Sequence, residues 1–178
     1  MSPFHPISLF IHLLKPHGRA GIVLPDGVLF GEGVATAVKK KLLAECNVHT
    51  IVRLPQGVFS PYAGVNTNLI FFEKGTPTKE IWYYQLPLPE GLKQYTKNRG
   101  ITHEEFDPVR KWWLARKAND RAWKVSIEEI EARNYNLDFK NPNGRAGIIH
   151  KSPEELVGEI EEKEKVINFI LSGIKKML

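Results

Sequence analysis

The sequence lacks the residues that mark secreted, disulfide-bonded and membrane-spanning proteins. Cys46 is the one cysteine in 178 residues, which excludes an internal disulfide and a cysteine-based metal site. No apolar run approaches the roughly 18 residues of a membrane-spanning helix, and the first residues are not a basic segment followed by an apolar core. We therefore predict a cytoplasmic protein that is not associated with a membrane.

Several signatures of catalysis are missing as well. The 6 histidines show no metal-ligand spacing, and no nucleophile elbow, P-loop or reactive-cysteine context occurs. The stretch GEG at 31–33 is not a dinucleotide fingerprint, because the third glycine of that pattern is absent. The residues themselves predict no catalytic residue and no metal ligand, and they leave any cofactor-binding residue unknown.

Positive charge, by contrast, is in excess. The chain carries 25 Lys and Arg against 20 Asp and Glu, which gives a net charge of +5. This balance favours anionic partners such as nucleic acid. An apolar content of 42% and a charged content of 25% are typical of a soluble globular protein.

The first half of the chain predicts an α/β fold. An apolar strand at 19–25 precedes a helix at 34–46, and a β-branched strand follows at 48–55. Strand, helix and strand form a βαβ unit, which should be parallel and right-handed. The link over 55–65 is too short for a crossover helix, so the strand at 66–74 should run antiparallel to its predecessor.

Other segments are predicted from local signals. A helix should begin near residue 7, a loop should cover 25–33, and a further strand should cover 79–87. A short helix is expected at 107–118. Another helix should begin with a capping box at Ser126, whose side chain can accept a hydrogen bond from the amide three residues later.

The last segment predicts a long helix for subunit assembly. Ser152 can serve as its N-cap, and apolar residues then alternate at steps of four and three, as in a seam for another helix. We accordingly divide the chain into 1–90, a connecting region at 91–150 that is basic and aromatic, and the C-terminal helix at 151–178.

The loop at 55–65 is the best candidate for a binding site. Phe59 and Tyr62 follow a strand end, where ligands of open α/β sheets bind, and enzymes that act on a nucleobase can stack it on such side chains. The alternative is that Phe59 folds back into the core, while Pro61 and Gly64 only shape the turn. Composition alone favours this alternative.

Charged residues offer weaker candidates, each with a structural alternative. Asp26 could bind a ligand hydroxyl or position a base, but an ordinary Asp-Gly turn is favoured. The run Lys39–Lys41 could contact phosphate, but a solvated helix face is favoured. Basic residues between 93 and 124, including Lys111 and Arg116, alternate with tryptophans in a way that suits nucleic-acid contact. Equally, the tryptophans could pack this segment onto the sheet while the charges stay in water.

Four stretches together resemble one protein family. They are LLKPHGRAGIVLPDGVLFGEG, VRLPQGVFSPYAGVNTNLIFFEKG, IWYYQLPLPEG and RAWKVSIEEIEARNYNLDFKNP. In this order they are similar to the C-terminal portion of the modification (M) subunit of type I restriction–modification systems. That family comprises adenine-specific DNA methyltransferases that use S-adenosylmethionine, and the resemblance runs from about residue 7 to the end.

The resemblance implies the C-terminal part of a Rossmann-like methyltransferase sheet, a βαβ unit plus an antiparallel hairpin, followed by an α-helical extension. It also implies that Phe59 or Tyr62 helps to hold the target base. We predict Asn66, Lys111 and Arg116 as further residues that contact the target base or DNA. The implied partners are DNA and the specificity (S) and restriction (R) subunits, with the C-terminal helix packing on another helix.

The family's glycine-rich cofactor motif and its Asn-Pro-Pro-aromatic catalytic motif are both absent from this sequence. We therefore expect a catalytically incomplete fragment that binds no S-adenosylmethionine alone, and whose strand at 20–24 lies at a sheet edge or against another molecule. The alternative is a non-enzymatic module that binds DNA or a specificity subunit.

Overall fold

The structure, a computed structural model, describes residues 5–143 and, further along the chain, only Glu164 and Ile167. The chain divides into two compact units, Met1–Gly144 and Arg145–Leu178, and the fold below is that of the first. The assembly helix predicted at 151–178 lies outside the described residues, apart from those two, which are helical. Within the described part, no helix is long and apolar enough to cross a membrane.

Five strands form one mixed sheet, which establishes the predicted α/β class. The strands are β1 (Arg19–Pro25), β2 (Cys46–Arg53), β3 (Thr67–Lys74), β4 (Glu80–Gln85) and β5 (Ala122–Ser126). Their order across the sheet is β1-β3-β2-β4-β5. The β2–β4 pair is parallel, while the other neighbouring pairs are antiparallel.

The hairpin prediction is confirmed, because β2 and β3 pair antiparallel across the short link. β1 and β2 are both antiparallel to β3 and so run parallel to each other, as the βαβ pattern predicts. They are not neighbours, however, because β3 lies between them. β1 is at the edge of the described sheet, where the sequence places the strand at 20–24.

Helices cover both faces of this sheet. They are α1 (His5–Leu13), α2 (Asp26–Phe30), α3 (Val34–Glu45), α4 (Asp107–Leu114) and α5 (Ile127–Ala132). The N-cap half of the predicted capping box is present, since the amide of Glu129 donates to Ser126 Oγ over 3.3 Å. The loop predicted at 25–33 is wrong for Asp26–Phe30, and β5 was not predicted.

Alternation along β4 separates two apolar cores. Ile81 and Tyr83 point to one face, where they join side chains of α1, α2, α3 and α5. Trp82 and Tyr84 point to the other face, which α4 covers with Trp112. Because successive strand residues face opposite sides, the sheet is a central layer, and its second face is covered by α4 together with Val58, Ile101 and Phe106 from the connecting segments.

The prediction of a solvated helix face at Lys39–Lys41 is wrong for Lys39, whereas Lys40 and Lys41 are exposed. The Lys39 side chain is 2% exposed, and Nζ donates to the carbonyl oxygens of Leu29 over 2.7 Å and Gly31 over 2.8 Å. These carbonyls belong to the end of α2, where backbone acceptors have no partner within the helix. Lys39 thus caps α2 from α3, and its burial lowers the pKa of the ammonium group.

Candidate nucleic-acid interface

The link between β2 and β3 forms an aromatic loop, which we define as residues 55–66. Phe59 is 41% exposed and Tyr62 is 93% exposed, so Phe59 does not fold back as a core residue. Turns within the loop hold its shape, because the amides of Tyr62 and Ala63 donate to the carbonyl of Phe59 over 2.9 and 3.0 Å. The loop therefore presents two aromatic side chains to solvent on a hydrogen-bonded backbone.

A neighbouring segment braces this loop. The amide of Tyr95 donates to the carbonyl of Gln56 over 3.0 Å, and the Tyr95 side chain is fully buried. Its hydroxyl donates to Glu105 Oε2 over 2.5 Å, while Arg99 pairs with the same carboxylate. Sequence reasoning missed this brace, since residues about forty positions apart form it without any local pattern.

The burial of Tyr95 in this brace predicts that its hydroxyl group loses its proton at an unusually high pH. Burial, followed by the hydrogen bond to Glu105, raises the pKa of Tyr95 to about 12, whereas an exposed tyrosine titrates near about 10. The folded state therefore favours the protonated phenol. Its contribution to stability is complete below about pH 10 and is lost as the pH rises towards 12. The ultraviolet difference spectrum between the native chain and Tyr95→Phe measures this step. A phenolate signal near pH 10 in that difference would contradict the brace.

Beside the loop lies a polar cleft of 310 Å³, where β1, β2 and β4 end and β3 begins. Asn68 Nδ2 donates to Asp26 Oδ1 over 2.6 Å, and Arg53 Nη1 donates to Asp138 Oδ1 over 2.6 Å. Arg53 Nη2 also lies 3.9 Å from Asp26 Oδ2. Asp26 begins α2 instead of forming a turn, and its carboxylate belongs to this network.

Asn66, the last residue of the aromatic loop, lines the same cleft. It is exposed, and its carbonyl accepts from the amide of Asp26 over 3.0 Å. Gln56 and Gln85 add two amide side chains to the lining. Amide groups both donate and accept hydrogen bonds, so the cleft can receive the polar edge of a base or of a sugar.

The basic candidates lie elsewhere. Arg116 is beside His49, near the beginning of β2, whereas the aromatic loop follows the end of that strand. Lys111 is exposed on α4. The structure therefore brings Phe59, Tyr62 and Asn66 to one end of the sheet and Arg116 to the other.

The tryptophans of the basic segment do pack on the sheet, as one of the two alternatives predicts. Trp112 is buried against Tyr84, with ring centroids 5.0 Å apart, and its indole N–H donates to the carbonyl of Lys117 over 2.8 Å. Arg116 is not simply solvated, because its guanidinium carbon lies 4.4 Å from the ring centroid of Trp113. No three His, Cys, Asp or Glu residues converge as a metal site in the part of the chain that the structure describes.

A mixed sheet with exposed aromatics beyond its strand ends suits a class of protein that handles nucleobases. The family model for N-6 DNA methylases matches residues 4–151, and the chain belongs to that family. It is similar to the type I restriction enzyme EcoEI methylase subunit of Escherichia coli, with 47% identity over 97% of this chain. The predicted resemblance to type I modification subunits is confirmed.

Solved structures agree with this assignment. A modification subunit of a putative type I restriction enzyme from Vibrio vulnificus is 43% identical, covers 80% of this chain and superposes with a TM-score of 0.76. A structure of the type I R-M system, described for its complex assembly and conformational transition, is 41% identical over 98% of this chain, with a TM-score of 0.77. The chain spans 36% of the EcoEI subunit and 32% and 39% of these two structures.

Proposed function

We propose that this chain is part of a modification subunit that methylates the amino group of adenine in DNA, with S-adenosylmethionine as methyl donor. The carrying observation is the aromatic loop, which extends beyond the strand ends of a chain that belongs to the N-6 DNA methylase family. The chain supplies the loop that holds the target base. The methyl-transfer chemistry belongs to the complete enzyme.

Phe59 and Tyr62 provide the stacking surface for an adenine that has left the duplex. Their exposure makes this contact possible without rearranging the core. Asn66 belongs to the loop and lines the polar cleft, so it is placed to hydrogen-bond the base or its sugar. Lys111 presents an exposed ammonium that can contact a DNA phosphate.

The residues at the strand ends do not fit S-adenosylmethionine by themselves. A cofactor of this kind needs a glycine-rich turn after a strand and a carboxylate for its ribose hydroxyls. The strand β1 is followed directly by α2, and Asp26 is already engaged by Asn68 and Arg53. We therefore assign no cofactor-binding residue and no catalytic step to this part of the chain.

We infer that the remaining strands of a Rossmann-like methyltransferase sheet join at the edge of β1. Exposed apolar side chains on β1 and on helices that pack on one face of the sheet support the inference: Leu9, Phe10 and Leu13 on α1, Val23 on β1, Phe30 on α2 and Val34 on α3. An unpaired strand edge next to apolar surface is a template for further strands. In this view the present sheet is the C-terminal half of the catalytic sheet.

The outline of domains extends this proposal. Residues 1–90 contain the first four strands, and the region at 91–150 adds β5 to the same sheet. We propose that the segment at 151–178 is the helix that packs on helices of the specificity subunit, and that the restriction subunit joins the resulting complex.

A chimera tests the proposal. The segment of the EcoEI methylase subunit that matches this chain is replaced by it, and methyl transfer to DNA from labelled S-adenosylmethionine is measured with the EcoEI specificity subunit present. We expect the chimera to methylate DNA and the 178-residue chain alone to be inactive. The intact EcoEI subunit is the positive control. A chimera that folds and binds the specificity subunit but transfers no methyl group would contradict the proposal, as would methylation by the isolated chain.

A further inference from the structure

A second cleft, of 470 Å³, opens at the other end of the sheet from the aromatic loop. It lies where β1 and β2 begin and β3 ends, beside the segment that follows α4. The side chains that matter for its chemistry are Arg19, Asn47, His49, Phe71, Trp113 and Arg116. Its volume is within the roughly 300–1,000 Å³ that is usual for small-molecule sites.

Arg116 is a cation without a carboxylate partner in this cleft. Its guanidinium carbon is 4.4 Å from the ring centroid of Trp113, and Nη2 is 3.4 Å from His49 Nδ1. None of the ion pairs found within residues 5–143 includes Arg116. A half-buried guanidinium placed over an aromatic ring, with its N–H fork unneutralised, is an arrangement that can receive a phosphate.

The walls of the cleft are aromatic. Phe71 meets Trp113 edge to face, with centroids 4.9 Å apart, and His49 meets it at 5.7 Å. Burial, followed by the nearby charge of Arg116, lowers the pKa of His49, so its ring is neutral at pH 7. These rings offer a surface against which a nucleobase can stack.

Together with Arg116, the other charged side chains of the cleft give it a net positive charge, which favours an anionic ligand. Arg19 is exposed at its rim. Glu73 is the carboxylate of the lining, and it lies 3.7 Å from His17 Nδ1. Two guanidinium groups thus face one carboxylate, while Asn47 adds an amide that can both donate and accept.

We propose that this cleft binds a nucleotide, with its phosphate on Arg116 and Arg19 and its base against Phe71, Trp113 and His49. Such a site is separate from the target-base loop, which follows the opposite end of β2. The shared ligand chemistry, a phosphate beside a base, has two sources: a free mononucleotide and one unit of a single strand.

Calorimetric titration of the full chain tests the site with deoxyadenylate, a short single-stranded oligothymidylate and inorganic phosphate. We expect Arg116→Gln to weaken nucleotide binding by about tenfold or more. Lys117→Gln removes the same charge from the neighbouring exposed position, and it should leave the affinity unchanged. Arg116→Lys keeps the charge but loses the planar fork, so its affinity should lie between those of the native chain and Arg116→Gln.

A second measurement needs no variant. In the native chain the indole N–H resonance of Trp113 should shift on titration, while that of Trp123, which lies in the core on the opposite face, should not. Binding of deoxyadenylate identifies a free nucleotide as the ligand, and binding of the oligothymidylate alone identifies a nucleic-acid strand.

Three results would overturn the site: no binding of either nucleotide ligand, equal losses in Arg116→Gln and Lys117→Gln, or inorganic phosphate binding as tightly as deoxyadenylate. The outcome is independent of the chimera experiment, because Phe59 and the rest of the aromatic loop take no part in this cleft.

Discussion

Gly57→Ala is expected to lower the free energy of unfolding by about 1–3 kcal/mol, and by more if the brace cannot move. Gly57 has a φ of 83°, a conformation that side chains with a Cβ adopt only with strain. A methyl group at this position would also lie 2.3 Å from the carbonyl oxygen of Tyr95. That oxygen is backbone, so relief requires a shift of the whole segment that braces the loop.

Urea denaturation of the two variants Gly57→Ala and Gly64→Ala measures this effect. Gly64 belongs to the same loop, but a methyl group there would meet no atom within 4 Å. We therefore expect the unfolding midpoint of Gly64→Ala to stay close to that of the native chain. Equal midpoints for both variants would show that neither the positive φ of Gly57 nor the close approach of the Tyr95 carbonyl excludes a side chain at this position.

Phe59→Ala in the chimera with the EcoEI subunit is expected to reduce methyl transfer by about 5- to 150-fold. This range follows from about 1–3 kcal/mol for stacking one base on an aromatic side chain. The variant loses the stacking free energy that holds the flipped adenine, so kcat/KM of the DNA substrate should fall. The half-exposed ring of Phe59 can be removed without opening a core cavity, so the unfolding midpoint should change little.

Two further variants test whether an aromatic ring is needed and which ring holds the base. Phe59→Trp keeps an aromatic face and should retain most of the activity, while Tyr62→Ala determines which of the two rings holds the base. Fluorescence of 2-aminopurine at the target position reports the unstacked base directly. Full activity of a correctly folded Phe59→Ala chimera would remove Phe59 from the target-base site.

The topology of the hairpin could be predicted because it depends on local constraints. The link over 55–65 is too short for a crossover, and this alone makes β3 antiparallel to β2. The short helix α2 could not be predicted, because five residues with an internal glycine carry no helical period. β5 has the same difficulty, since AWKVS lies in a polar and basic stretch and becomes a strand by pairing with β4.

The site residues could be predicted only in part. The sequence places Phe59 and Tyr62 in a connection beyond a strand end, but composition favoured a Phe59 that folds back into the core, whereas the structure leaves it 41% exposed. The pairing of Arg53 with Asp138 joins residues 85 positions apart, and no pattern in the sequence indicates it. Lys39 was predicted to be solvated because it lies in a run of three lysines, yet the carbonyls at the end of α2 compensate for burying its ammonium group.

Because β3 lies between β1 and β2, these strands cannot pair in the order in which they are synthesised. Adjacent strands lie about 4.8 Å apart, so β1 and β2 remain about twice that distance from each other and share no ladder of their own. β1 and β2 can therefore join one sheet only after β3, which ends at residue 74, has been synthesised. A polypeptide that ends before Thr67 lacks β3 and therefore cannot join β1 and β2 in one sheet.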